Sequence, residues 1–424
     1  MSALRPNSLG PGDRVALLVP GSARYVDVVL SLLVRGVIPI PLDPRLTEAE
    51  RAGILADLEP TLVVTDPDDL EPLTLGWEAG DVPLARPMHV TSGTTGAPKG
   101  VYSGVLDPAD AAALIAEERM LWGFSATDVN LVVSPLYHSA PLRFAIGTLL
   151  AGGRIVAPGV FDPAVMSAAV ETDRPTSMFV APAHLQRLFA HWDEHGWPDL
   201  SSFRLVAHAG APCPDPLKRR LIEVFPEGST WEFYGSTEGQ FTACRSEEWV
   251  ARPGTVGRAR PGRTLVVDED GLIWCAVPEF ARFSYYGAPA KTASAWRGDA
   301  FTVGDLGHLD EDGYLYLDAR REDLVITGGV NVYPAEVENA LAEHPGVSDV
   351  AVYGVPDEQW GQKVCAAYVG TASAEDLDAW ARERLAPPKR PKNYRRLESI
   401  PRTLTGKILR RSLTPADPSR PPSS

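Results

Sequence analysis

The sequence predicts an α/β protein with a large N-terminal domain of α/β subdomains, a small β-barrel-like part, and a small α+β C-terminal domain. Three observations carry this expectation. From Arg14 to Tyr234, short apolar runs alternate with stretches of helical spacing, the pattern of a parallel sheet with right-handed crossovers. Near Gly254 the texture changes to short strands punctuated by turn residues. After Arg320 a compact βα pattern returns. At 424 residues the chain is long enough for two or three domains and a large core.

Taken in order, residues 14–19 read as a buried strand, Tyr25–Arg35 as a helix closed by Gly36, and 37–40 as a second strand. Thr47–Leu58 reads as a helix, with Thr47 as N-cap and Glu50 three residues on, and 62–65 as a third strand. Met88-His89-Val90 reads as a short strand, which places the following loop at a strand end, where α/β folds bind ligands. Helices are expected at 110–121, 142–150, 182–192 and 217–224, and strands at 129–134, 154–157, 177–180, 203–207 and 230–234. Leu185, Leu188, Phe189 and Trp192 share one helix face. Asp310-Glu311-Asp312-Gly313 between apolar runs is a hairpin signal. Further on come a helix opened by Pro334, strands at 349–353 and 363–369, and a helix at 373–385. The tail, 413–424, is rich in Pro and Ser and is expected to be disordered.

Bulk composition excludes several classes. With 40 basic and 55 acidic side chains the net charge is -15, which argues against nucleic acid or an anionic membrane surface as the partner. The longest apolar stretch, Val26–Leu42, is interrupted by Asp27, Arg35 and prolines, so no membrane span is expected. The four cysteines are widely spaced without a C-x-x-C, the pattern of free thiols rather than of a disulfide framework or zinc site. No basic region followed by an apolar run opens the chain, so the expected location is the cytoplasm.

The stretch Thr91-Ser92-Gly93-Thr94-Thr95-Gly96-Ala97-Pro98-Lys99-Gly100 holds four hydroxyls, three glycines and a lysine. Backbone freedom, hydroxyl donors and a point charge together suit a polyphosphate. Gly/Ser/Thr clusters are also ordinary surface loops, and Pro98 and Gly100 on either side of Lys99 rule out a Walker A motif. Further polar clusters fall at strand ends or loops: Tyr137-His138, Gly210-Ala211-Pro212, Tyr234-Gly235-Ser236-Thr237-Glu238, Gly304-Asp305, and the 401–410 segment containing Lys407. Each has a use at a nucleotide. A tyrosine stacks on a base, a carboxylate such as Asp305 accepts ribose hydroxyls, Glu238 holds magnesium, and a second lysine neutralises charge in an in-line displacement. Singly, each also has a plain reading: a surface carboxylate at Glu238, a turn residue at Asp305, a solvated charge at Lys407, a structural histidine at His138.

In order along the chain, TSGTTGAPKG, YGSTEGQ, VGDLGHLDEDGYLYLDARREDLVITGGVNVYP and PRTLTGKILR resemble the superfamily of adenylate-forming enzymes, which includes acyl-CoA synthetases, peptide-synthetase adenylation domains and firefly luciferase. The resemblance runs from about Gly12 to Arg411, and AHAGAPCP and PLYHSAPL are most similar to acyl-CoA ligases of hydrophobic acids. It implies attack of a carboxylate on the α-phosphate of ATP, release of pyrophosphate, and transfer of the acyl group from the adenylate to a thiol, usually of coenzyme A. By position it implies that Thr91, Ser92, Gly93, Thr94, Thr95, Gly96 and Lys99 close on the β- and γ-phosphates. Gly210, Ala211 and Tyr234 would border adenine, and Gly235 would belong to the same cofactor-binding site. Thr237 would contact the α-phosphate, Glu238 the Mg2+ ion, and Asp305 and Arg320 the ribose. Lys407 would bridge the attacking carboxylate and the α-phosphate, and His138 would border the acyl pocket. Gly328 and Gly329 would approach the pantetheine arm. The implied domains are 1–319 and a mobile 320–424, hinged near Glu322.

The chain departs from the family in a short N-terminal region, a compressed 254–305 stretch, and Gly361-Gln362 where Gly-Glu is frequent. The short region would leave a sheet edge to cover, for which a homodimer is one solution. The expected activity is that of an acid–CoA ligase acting on a small-molecule acid, hydrophobic or aromatic. The alternatives are transfer of the acid to a carrier protein or an amine, including nitrite activation for aryl-amine diazotisation, and a non-catalytic nucleotide-binding relative.

Overall fold

The computed structural model describes residues 9–91, 99–320, 323–327, 330–357, 360–402 and 408–414. These divide into two compact units, residues 1–265 with 275–303, and residues 266–274 with 304–424.

The first unit begins as the alternation predicts. Strands β1 (Arg14–Leu17), β2 (Ile38–Pro41) and β3 (Leu62–Val64) are joined by helices α1 (Ala23–Val34) and α2 (Glu48–Leu58) into a parallel sheet of order β2-β1-β3. All of β2 is buried, so its two prolines sit in the core. The capping box opening α2 is formed: the Thr47 hydroxyl accepts from the Glu50 N–H at 3.3 Å, and the Thr47 N–H donates to Glu50 Oε2 at 2.9 Å. The strand expected at 88–90 is shifted. Strand β4 is Val90–Thr91, and it pairs antiparallel with β5 (Lys99–Tyr102). Thr91 and Lys99 therefore belong to two antiparallel strands rather than to the end of a parallel one.

The larger sheet follows. Helices α3 (Pro108–Trp122), α4 (Ser139–Leu150), α5 (Pro163–Asp173), α6 (Pro182–His195) and α7 (Asp215–Val224) alternate with strands β6 (Val129–Val132), β7 (Arg154–Val156), β8 (Ser177–Val180), β9 (Leu205–His208) and β10 (Thr230–Glu232). With β11 (Thr242–Arg245) and β12 (Arg258–Ala259) they give seven strands in the order β12-β11-β10-β9-β8-β6-β7. The strands from β7 to β10 run parallel, and β11 and β12 close one edge antiparallel. The apolar face of α6 is buried as its spacing predicts, and the Trp192 indole donates to Ser167 Oγ on α5 at 2.6 Å. Helix α5 escapes apolar periodicity because only Met166, Ala169 and Val170 are buried on it. Its opening was nevertheless written in Asp162-Pro163, where the Asp162 carboxylate accepts from the N–H groups of Ala164 and Val165.

In the second unit, strands Asp305–Leu309 and Leu315–Arg320 form the predicted hairpin, its turn held by N–H donation from Asp312 and Tyr314 to Asp310 Oδ1. A five-stranded sheet runs Val330–Val332, Val325–Thr327, Gly361–Gly370, Val347–Asp357, with Asn393–Arg396 parallel to Gly361–Gly370. Helices Pro334–Ala342 and Ala374–Arg384 bury Val337, Leu341, Leu377 and Ala381 in its core. Gln362 Oε1 accepts from the Ile326 N–H at 2.9 Å, so the departure at this position holds neighbouring strands together.

Candidate active site

The centre of the first unit's site is the turn Tyr234–Gln240 after β10. Gly235 and Gln240 form an antiparallel bridge, and Ser236 N–H donates to the Gly239 carbonyl at 2.8 Å. A Cβ on Gly235 would lie 2.6 Å from the Gly239 oxygen and 2.7 Å from Gln240 Cα, so only glycine closes this turn. Tyr234 is buried with its ring 4.9 Å from that of Phe241. Glu238 is buried, and its Oε1 accepts from the Tyr285 hydroxyl at 2.8 Å. Burial and that neighbouring carboxylate push the Tyr285 phenol far above its usual range, so it remains a donor. Thr237 lines a cavity of about 120 Å³ together with Ser236, Gly239 and Gln240. Gly210, two residues past the end of β9 and at φ +91°, has nothing within 4 Å of where a Cβ would stand, and Ala211 follows it. The β9 end and the 234–240 turn thus lie at neighbouring strands of one parallel sheet.

Of the phosphate loop, Thr91 and Lys99 are described. The Thr91 hydroxyl donates to the Lys99 carbonyl at 3.3 Å, and Lys99 Nζ lies 2.8 Å from Asp57 Oδ2 on α2. Ser92, Gly93, Thr94, Thr95 and Gly96 lie outside the described residues, as do Gly328, Gly329, Glu322 and Lys407. Ahead of Lys407 the chain is anchored by Arg402, whose Nη2 lies 2.6 Å from Asp349 Oδ1. Behind it Arg410 pairs with Glu338 and Asp323 and donates to the Val352 carbonyl. A bridge between Arg402 and Ile408 draws the two ends together. Asp305, buried, stands opposite Arg320 in the register of the hairpin, so the two residues assigned to the ribose fall at one end of one β-ladder.

His138 is the N-cap residue of α4, with Nε2 buried and without a hydrogen-bond partner and its ring 4.5 Å from that of Tyr137. Burial pushes its pKa down to about 4, so the imidazole is neutral at pH 7. Next to it, Ser139 belongs to the cavity wall. So does His89, read from the sequence only as part of a strand: its Nδ1 donates to the Tyr137 carbonyl at 3.1 Å, and burial pushes its pKa down to about 3.

The other feature that sequence reading missed is a group of charges on the same cavity. Arg86, Glu118, Arg143, Arg260 and Arg263 line it, and Glu117 stands behind. Arg260 Nη2 is 2.8 Å from Glu117 Oε1 and 2.8 Å from Glu118 Oε1, and Arg263 Nη1 is 2.6 Å from Glu117 Oε1. Burial alone would raise Glu118, but Arg143 and Arg260 outweigh it and hold its pKa at about 2. Burial pushes Arg143 down to about 10; Glu118 opposes this, while the like charges of Arg260, Arg86 and Arg263 add to it. The guanidinium stays charged at pH 7. Around these charges the wall is mostly apolar, with Leu33, Leu114, Ile115, Leu142, Ile146 and Phe301 among its residues.

The sequence matches the family model described as "AMP-binding enzyme" over residues 2–83 and 88–276, and that described as "AMP-binding enzyme C-terminal domain" over 336–407. The chain belongs to the AMP-binding enzyme family. It is 32% identical to a feruloyl-CoA synthase from an Amycolatopsis species, over 96% of this chain and 90% of the relative. Its fold is similar to o-succinylbenzoate CoA synthetase from Bacillus subtilis in complex with an acyl-adenylate intermediate, with TM-score 0.83, 27% identity, and 97% of this chain and 90% of that one covered. It is also similar to the amide bond synthetase McbA from Marinactinospora thermotolerans, with TM-score 0.80, 27% identity, and coverage of 96% and 90%. No helix among the described residues is long and apolar enough to cross a membrane.

Proposed function

We propose that the protein activates a carboxylic acid with ATP, releasing pyrophosphate and forming an acyl-adenylate, and then passes the acyl group to the thiol of coenzyme A. The observation that carries this reading is the 234–240 turn, where a glycine-dependent bridge sets Thr237 on a cavity wall with the buried carboxylate of Glu238 beside it. A carboxylate with one oxygen already bonded to a phenol suits a magnesium ion whose remaining ligands are phosphate oxygens and water. The ion would neutralise phosphate charge.

In this reading Tyr234, Gly210 and Ala211 border adenine, and Asp305 and Arg320 hold the ribose. Lys99 and the 91–96 residues bind the leaving pyrophosphate, and Lys407 stabilises charge at the attacked phosphate. The fold's similarity to an amide bond synthetase supports a second reading, in which an amine takes the acyl group. One experiment separates them: pyrophosphate release across a panel of acids, with CoA, an amine, or no acceptor. Acid-dependent release with thioester formation supports ligase activity. Adenylate that turns over only with the amine replaces CoA as acceptor, and no acid-dependent release overturns both readings.

A further inference from the structure

The charges on the cavity wall do not balance. Four guanidinium groups, those of Arg86, Arg143, Arg260 and Arg263, face the two carboxylates of Glu117 and Glu118. A buried network that served only the fold would leave little charge unpaired, because an uncompensated ion away from water is expensive. Here the surplus is positive, and most of the unused hydrogen-bonding groups of the charged side chains belong to the arginines, Glu117 Oε1 being the one carboxylate oxygen among them. Buried N–H groups without a hydrogen-bond partner occur at Arg143 Nε and Nη2, Arg260 Nε and Arg263 Nε. Arg260 is only 2% exposed. Arg143 Nε lies 3.4 Å from Glu118 Oε2 but makes no hydrogen bond to it. Gln240, buried on the same wall, has neither amide atom partnered. It follows two residues after Glu238 in the turn, so the surplus charge and the turn border the same space.

We propose that this wall is an anion subsite, and that the acid activated here is a short dicarboxylic acid. One carboxylate reacts at Thr237, and the other is held by Arg143 with its neighbours Arg260, Arg263 and Gln240. This rests on the adenylation reading and names its substrate class. The distal carboxylate offsets part of the positive surplus on the wall, and guanidinium forks suit planar carboxylates. The volume of about 120 Å³ suits a short chain or a single ring rather than a long acyl tail. Phe233, whose ring lies 5.3 Å from the Arg143 guanidinium carbon, holds that side chain over an aromatic face.

The test is equilibrium binding to the full-length protein without ATP, by calorimetry. Straight-chain dicarboxylates of three to six carbons, the monocarboxylates of equal length, and nitrite are titrated into wild type and into Arg143→Gln and Arg143→Lys. The expected result is that a dicarboxylate binds at least tenfold tighter than its monocarboxylate partner. Arg143→Gln removes the difference while leaving the monocarboxylate unchanged, and Arg143→Lys restores part of it. The thermal shift on adding ATP is measured in each variant, and its retention shows that the variants fold. Equal or tighter binding of monocarboxylates, binding of nitrite alone, or indifference to Arg143→Gln would overturn the subsite. Pyrophosphate release is read separately. Dicarboxylate binding without release contradicts adenylation but keeps the subsite, and release with monocarboxylates alone does the reverse.

Discussion

At the scale of single residues, the site depends on groups whose environments fix their protonation. Glu238 is buried beside a phenol that stays a donor, and it is the residue assigned to magnesium. Glu238→Ala should therefore raise the magnesium concentration needed for half-maximal pyrophosphate release, with little change at saturating ion; an unchanged requirement would place this carboxylate away from the ion. His89 makes a stability prediction. Its folded pKa, about 3, lies below the ordinary histidine value of 6.5, because burial disfavours the charged ring. Between those values the unfolded chain binds the proton and the folded chain does not, so stability falls as pH drops from about 6.5 towards 3. His138 and His184, both pushed down to about 4 by burial, act in the same direction. His89→Asn should flatten the fall of melting temperature across that window, and an unaltered slope would show that His89 does not contribute to it.

At the scale of elements, the capping box of α2, the buried face of α6 and the 305–320 hairpin were legible in the sequence because each is a local pattern. Strand β4 was misplaced by one to two residues, since its pairing with β5 is decided across a loop. Helix α5 was missed because its buried stripe is short, although its N-cap was readable. Helix α2 has a use that no local pattern showed: Asp57 on it holds Lys99 at 2.8 Å. Both side chains are partly exposed, so the pair is worth at most roughly 1 kcal/mol. If Lys99 must leave Asp57 to meet pyrophosphate, Asp57→Ala should tighten ATP binding by up to about fivefold, consistent with the same estimate. Weaker ATP binding in that variant would mean that Asp57 instead positions the lysine.

At the scale of the whole molecule, residues could be assigned to the nucleotide from sequence because they travel in contiguous motifs: the 91–100 stretch, the 234–240 turn, and the segment around Lys407. The cavity proposed to take the acid was not legible in this way. Its wall is drawn from α3, α4, the 86–89 approach to β4 and the Arg258–Arg263 segment, which are distant in sequence and meet only on folding. Each arginine alone reads as a solvated charge. Only their shared burial around two glutamates reveals a surplus. Under the proposed subsite, that surplus calls for a second, anionic group on the acid. Lys407 lies outside the described residues, and the chain on either side of it is anchored by Arg402 and Arg410. Lys407→Ala should slow adenylate formation by ~10²–10³, the scale of removing one preorganised transition-state donor. Near-normal rates would exclude it from the chemistry.

The most direct measurement is mass spectrometry of the protein incubated with ATP, magnesium and a short dicarboxylic acid, with no thiol or amine present. The account predicts an acyl-adenylate bound to the protein and pyrophosphate released in matching amount, both absent when the acid is omitted. ADP and orthophosphate as products, or ATP left intact with every acid tried, would contradict it.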